Sequence, residues 1–285
     1  MTTWFITGCS TGLGRALAHA VLSRGDNAIV TARSVGTLDD LVQQHPDTAL
    51  AIELDVTDPE QISAAVSRGT ERFSGIDVLV NNAGYGYRSA VEEGDHDDIE
   101  RLFATNFHGP VALIKAVLPG MRAQRSGVVV NISSIAASVQ PAGSGYYAAS
   151  KAALEGVSGA LTKEVASLGI RVITVEPGGF RTDFAGRSLT QSPAAIDDYA
   201  ETAGKRRKEN DTVHGTQPGD PARAAEALIT VVDAEQPPAF LLLGSDALTA
   251  VRSVIAARSQ QIDQWEQLSA GTDFGAAEST GTDQS

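Results

Sequence analysis

Two periods of apolar and polar positions alternate along this chain. Short, nearly continuous apolar runs predict strands near residues 3–7, 27–32, 49–53, 77–81, 127–132, 170–176 and 239–243. Runs without a polar face belong to strands covered on both sides. Between them, apolar residues recur every three or four positions, which predicts helices near 13–24, 36–44, 59–73, 97–124, 146–168, 221–233 and 246–268. Alternation of this kind argues for βαβ units and a parallel sheet. The punctuation agrees: Asp58-Pro59 and Asp220-Pro221 each read as an N-cap followed by proline at the first helical position. Gly25 and Gly169 read as C-caps ahead of the next strand. The expectation is one doubly wound α/β domain over residues 1–269, a seven-stranded parallel sheet with helices on both faces. No internal repeat is visible.

Two segments break the rhythm. Residues 180–217 are polar and rich in Gly, Ser and Thr, and they follow a strand where an inserted substrate lid is expected. Residues 270–285 are small and polar, which predicts a loosely ordered tail. The remaining composition is that of a soluble protein with a sizeable core: 42% apolar and 20% charged over 285 residues. No charged-then-apolar leader and no bilayer-length apolar stretch is evident. The single cysteine, Cys9, excludes an internal disulfide and a cysteine-rich zinc site, and points to a reducing, cytoplasmic setting. A net charge of −13 argues against general affinity for nucleic acid. The one basic cluster, Lys205 to Lys208, reads as a solvated helix face.

The first strand leads into Thr7-Gly8-Cys9-Ser10-Thr11-Gly12-Leu13-Gly14 and then an apolar-faced helix. Glycines let the backbone turn tightly and approach a pyrophosphate, while a helix N-terminus offers free N–H groups to its charge. The second strand ends at Ala32-Arg33. An acid there would bind the adenosine ribose hydroxyls and select NAD; an arginine can grip a 2′-phosphate instead. NADP(H) is the expected cofactor. Cys9, inside the glycine turn, is better explained by packing than by reactivity.

Tyr147 and Lys151 stand four residues apart on a predicted helix and so share a face. An ammonium beside a phenol stabilises the phenolate and lowers the tyrosine pKa toward neutral pH. Such a tyrosine can exchange a proton with an alcohol or carbonyl oxygen. Ser134 lies where a buried strand, Val128 to Ile132, runs out into a loop. Its hydroxyl is therefore expected at the carboxyl end of the sheet, where open α/β folds bind ligands.

With these residues in hand, the chain resembles the short-chain dehydrogenase/reductase family from residue 3 to about 245. The likeness rests on Thr7-Gly8-x-x-x-Gly12-x-Gly14, Asp55-Val56, Asn81-Asn82-Ala83-Gly84, Asn106, Ser134, Tyr147-x-x-x-Lys151 and Pro177-Gly178-x-x-x-Thr182. It implies Asn106, Ser134, Tyr147 and Lys151 as the catalytic set. Gly8, Ser10, Thr11, Gly12, Leu13 and Gly14 would line the pyrophosphate, with Arg33 at the 2′-phosphate. Asp55 and Val56 would meet the adenine, and Asn82, Ala83 and Gly84 the adenosine side. Lys151 would also hold the nicotinamide ribose, and Pro177, Gly178, Phe180 and Thr182 would border the carboxamide. Asn106 would anchor a water leading from Lys151 to solvent. No metal is implied, and the five histidines read as structural or exposed. The stretches around Ser150 to Gly156 and Glu176 to Gly178 look most like members acting on bulky apolar alcohols and ketones.

The expectation is thus an NADP-dependent oxidoreductase interconverting a secondary alcohol and a ketone or aldehyde. Two other readings stay open: reduction of a carrier-bound 3-oxoacyl chain, and a nucleotide-binding sensor without chemistry. The resemblance also implies a homo-oligomer paired through helices 97–124 and 146–168. Residues 135–144, Tyr85 to Tyr87 and 180–217, with the aromatics Tyr85, Tyr87, Phe180 and Phe184, are the expected substrate wall.

Overall fold

In the computed structural model, which describes residues 1–186, 188–213 and 215–274, seven parallel strands form one sheet. They are β1 (Thr3–Ile6), β2 (Asn27–Ala32), β3 (Ala49–Glu53), β4 (Val78–Asn81), β6 (Gly127–Ile132), β7 (Ile170–Pro177) and β9 (Phe240–Leu243). Their order across the sheet is β3-β2-β1-β4-β6-β7-β9. Strands β1 and β4 are neighbours, with Trp4 opposite Val78 and Ile6 opposite Val80. From that pair the chain winds outward in one direction through β2 and β3, and in the other through β6, β7 and β9. The crevice at such a reversal, beyond the carboxyl ends of the strands, is where doubly wound sheets hold ligands.

Alternate side chains of each strand feed two cores. Trp4, Ile6, Val30 and Val130 point to the face covered by α1 (Gly12–Ser23), α2 (Asp39–Gln44) and α9 (Pro221–Asp233), through Leu17, Leu41 and Leu228. Phe5, Ile29, Leu79 and Val129 point to the face covered by α3 (Pro59–Phe73), α5 (Gly109–Gln124) and α7 (Gly145–Val165), through Ile62, Leu113 and Leu161. Burial on both faces is what the unbroken apolar runs required. The caps form as read. Asp58 accepts from the N–H groups of Glu60 and Gln61, and Asp220 from that of Ala222. Gly25 and Gly169 have φ of +88° and +72°, which favours glycine.

Several elements escaped the sequence reading. The single helix expected over 97–124 is α4 (His96–Phe103), then a π turn at Ala104–His108, then α5. Residues 36–44 begin with a 3₁₀ turn, Val35–Leu38, before α2. Three-residue strands β5 (Gly86–Arg88) and β8 (Leu189–Gln191) pair in parallel outside the main sheet. Short helices α6 (Ile135–Val139) and α8 (Ala203–Val213) complete the list, and the chain ends in α10 (Ser245–Ala270). The tail expected at 270–285 falls, beyond Phe274, outside the described residues.

The basic cluster requires a correction. Arg207 on α8 is not on a solvated face: its guanidinium lies 2.6 Å from Glu93, whose side chain is 3% exposed. Glu93 also accepts from the N–H groups of Ala90 and Ile196. Burial works against its charge, but these N–H groups and Arg207 outweigh it and hold its carboxyl below the usual range. Lys205, by contrast, is exposed and pairs with Glu201.

Candidate active site

A cleft of about 630 Å³ opens at the reversal point, beyond the carboxyl ends of β1, β2, β4, β6 and β7. Its first wall is the glycine turn. Gly8 and Gly12 adopt φ of +71° and +65°, and Thr11, the N-cap of α1, makes no side-chain capping bond. The first N–H groups of α1 are therefore left to the cleft, which Ser10, Thr11, Gly12 and Leu13 line. Asn82 fixes the turn from β4, donating through Nδ2 to the carbonyls of Thr7 (2.8 Å) and Gly8 (3.2 Å). Thr7 Oγ1 in return accepts from the N–H groups of Asn82 and Ala83, both at 2.9 Å. Gly14 lies behind this wall: a Cβ there would come within 2.3 Å of Asn82 Nδ2 and 2.5 Å of the Gly8 carbonyl oxygen.

Arg33, Asp55, Val56, Ala83 and Gly84 line the same end. The Arg33 side chain is exposed and makes no hydrogen bond or ion pair with another described residue. Asp55 is turned to its own loop, accepting from the Thr57 N–H and hydroxyl. At the far end stand Ser134, Tyr147, Lys151, Pro177, Gly178, Phe180 and Thr182. Asp246 braces the Pro177-Gly178 turn by accepting from the Gly179 N–H at 2.7 Å, a support the sequence did not reveal.

Ser134, Tyr147 and Lys151 come to that end from two elements. Ser134 caps α6, its Oγ accepting from the Ala136 N–H, and it hydrogen bonds the Tyr147 phenol. Tyr147 and Lys151 share one buried face of α7, as their spacing predicts. The expected acidification of Tyr147 by Lys151 is not seen. Burial raises the phenol's pKa above its ordinary value, with the Ser134 hydrogen bond and the Arg88 charge pulling weakly the other way. Lys151 instead donates from Nζ to the Ile132 carbonyl at 2.9 Å. Burial lowers its pKa to about 8, against the opposing charge of Glu155.

Asn106 is brought to this end but lies beneath the cleft surface, fully buried in the π turn. Its Oδ1 accepts from the Tyr85 N–H (3.1 Å), and its Nδ2 donates to the Tyr85 carbonyl (2.9 Å) and to Ser150 Oγ (3.1 Å). π turns recur at functional sites, and this one aims Asn106 inward between the β4 loop and α7. A carboxyl pair also went unread. Glu176, buried at the end of β7, accepts from Ser138 and lies near Glu155, which accepts from Ser133. Burial and the Glu155 charge push Glu176 up to about 8.

Part of the expected substrate wall is displaced. Tyr85, Phe180 and Phe184 line the cleft, and Phe184 packs 5.9 Å from the Tyr147 ring. Tyr87 is buried elsewhere, its hydroxyl accepting from the Asp95 N–H. Among the described residues, none from 135–144 reaches the cleft, because α6 folds that stretch inward.

The sequence of this chain from residue 2 to 192 matches the family model described as short chain dehydrogenase. The chain is a member of the short-chain dehydrogenase/reductase family. It is 39% identical to an oxidoreductase of Botryotinia fuckeliana, over 93% of this chain and 97% of that one. A 3-oxoacyl-[acyl-carrier-protein] reductase of Vibrio cholerae is 36% identical over 62% of this chain and 73% of its own. The crystal structure of a short-chain dehydrogenase from Streptomyces avermitilis superimposes with a TM-score of 0.89 at 43% identity, covering 96% of this chain and all of that one. A nicotinamide dinucleotide is the cofactor of this family, and the chain is an oxidoreductase of that kind.

Proposed function

We propose that the protein is an NADP(H)-preferring reductase of apolar ketones or aldehydes, working with Ser134, Tyr147 and Lys151 and supported by Asn106. The observation that carries this reading is the convergence of Ser134, Tyr147 and Lys151 on one end of a cleft whose other end holds Arg33, without a hydrogen bond or ion pair among the described residues. The cleft suits a dinucleotide: uncapped N–H groups face it at the pyrophosphate end, and the exposed Arg33 guanidinium lines it at the ribose end. The cofactor supplies the hydride. Gly8, Ser10, Thr11, Gly12 and Leu13 would hold its pyrophosphate, and Arg33 its 2′-phosphate. Asp55, Val56, Asn82, Ala83 and Gly84 would border its adenosine. Lys151, Pro177, Gly178, Phe180 and Thr182 would border its nicotinamide half.

Ser134 orients the carbonyl oxygen by hydrogen bonding, and Tyr147 delivers the proton that turns the developing alkoxide into an alcohol. A phenol with a raised pKa stays protonated at neutral pH, as a proton donor must. Lys151 still carries its charge there and stabilises the phenolate left behind. Asn106 holds the backbone of Tyr85 against α7 and so fixes where Tyr147 and Lys151 stand. Residues 180–217 act as the lid, with Phe184 and Tyr85 giving the substrate an apolar wall.

The carrier-linked alternative has one argument against it on the basic cluster. Arg207, the centre of the basic cluster that would dock an acidic carrier, is consumed internally by Glu93. Steady-state oxidation of NADPH and NADH over a panel of steroids, quinones, aromatic ketones and short aldehydes tests the proposal. Tyr147→Phe should abolish turnover and leave NADPH binding intact, and Arg33→Ala should raise KM for NADPH alone. Near wild-type turnover in the first variant, or a preference for NADH untouched by the second, overturns it.

A further inference from the structure

Helix α10 is 26 residues long, yet only Ala247 and Val251 are buried in it. Every residue from Ile255 to Ala270 is exposed, so more than four turns, about 24 Å, stand clear of the body. A free helix of that length is marginal in water, and most helical stability comes from packing an apolar face. This stretch has such a face. Ile255, Ile262, Trp265 and Leu268 are each more than 60% exposed, and their spacing places them along one side.

We propose that this face docks on the same face of a second copy of this chain, as an antiparallel helix pair with its two-fold axis beside Ile262. The charges argue for a copy rather than for another partner. Arg258 and Glu266 lie four residues to either side of Ile262, Arg258 within the same face between Ile262 and Trp265, and Glu266 at its edge. They are too far apart along the helix to pair within one chain, and neither bonds to another described residue. An antiparallel register centred on Ile262 brings Arg258 of each copy against Trp265 and Glu266 of the other, and Ile255 beside Leu268. Each contact then occurs twice, as an isologous interface demands. Arginine over an indole adds a cation–π contact to the ion pair. A shallow groove bounded by Arg258, Gln261, Ile262 and Trp265 offers a seat for the partner's indole. This surface is separate from α5 and α7, through which the family resemblance implies pairing, so the two would build distinct levels of assembly.

The test is the mass of the full chain in solution, by sedimentation velocity and light scattering across a concentration series. Ile262→Glu should halve the stoichiometry. Arg258→Glu and Glu266→Arg should each weaken association about tenfold, and the double swap R258E/E266R should restore it. All three sites are exposed, so circular dichroism and NADPH binding should stay at wild-type values. Unchanged mass in Ile262→Glu, failure of the double swap to rescue, or a monomeric wild type overturns the proposal. Binding of the wild type to anionic phospholipid vesicles without self-association overturns it in favour of a membrane surface.

Discussion

In a Lys151→Met variant, a buried ammonium gives way to a thioether of similar length, and the energetics of the site become measurable. Lys151 is 4% exposed, and its pKa falls from 10.5 to about 8 on burial. That drop corresponds to about 3 kcal/mol of unfavourable free energy carried by the folded state at neutral pH. The sign follows from linkage. A base with a depressed folded pKa leaves more protons on the unfolded chain between the two values. Stability therefore rises with pH across that window and is lost as pH falls through about 8. Removing the ammonium cancels the cost but strands the Ile132 carbonyl, at about 1 kcal/mol. The variant should thus be more stable than wild type by about 2 kcal/mol at pH 7. It should lose that advantage by about pH 9.5, where most of the lysine cost has gone. Urea denaturation of both proteins without nucleotide, from pH 7 to 9.5, reads the difference directly. A gap that does not vary with pH, or a variant less stable at pH 7, refutes the reasoning. Turnover by the variant should be lost.

Gly14→Ala should cost about 1–3 kcal/mol, because its Cβ would meet the Asn82 amide and the Gly8 carbonyl; thermal melts with and without NADPH should show lower stability and weaker binding. Arg207→Met should strand the Glu93 carboxylate and destabilise residues 180–217 locally by about 3 kcal/mol. Limited proteolysis should then cut that stretch faster, and KM for the carbonyl should rise with NADPH affinity unchanged. Acid should mimic this variant, since a carboxyl held below its usual pKa contributes stability above the unfolded value and loses it as pH falls through the folded one. Glu176→Gln imitates the protonated carboxyl. Since Glu176 is pushed up to about 8, wild-type stability should fall between about pH 4.5 and 8, while the variant stays flat and leads by about 2–4 kcal/mol at pH 8.5 by chemical denaturation.

The parallel sheet was legible because its strands are buried on both faces and read as unbroken apolar runs. Asp58, Asp220, Gly25 and Gly169 marked element ends because capping and positive φ demand particular residue types. Most of the candidate site was legible for the same reason: Gly8 to Gly14, Arg33, Ser134, Tyr147 and Lys151 occupy loop or helix positions fixed by strands on either side. What escaped depends on contacts remote in sequence. The π turn at Ala104–His108 leaves no periodic trace, and β5 and β8 are too short to show one. Arg207 looked solvated because Glu93, which claims it, lies 114 positions earlier. Tyr147 looked acidified because spacing reveals the neighbouring ammonium but not the depth of burial that opposes it.

The β5–β8 ladder bears on the sequence of events in turnover. Gly86 donates to the Ser188 carbonyl, and Ser192 to that of Arg88, so the 188–192 segment hangs from backbone that starts two residues after Gly84. Ser188 and Thr190 reach the cleft from this segment. A dinucleotide settling against Asn82 to Gly84 would firm up the anchor on which the flap closes, and the carbonyl compound would find its berth only afterwards. Compulsory-order kinetics follow, with the reduced coenzyme entering first and its oxidised form leaving last. In product-inhibition plots, NADP⁺ should compete with NADPH alone.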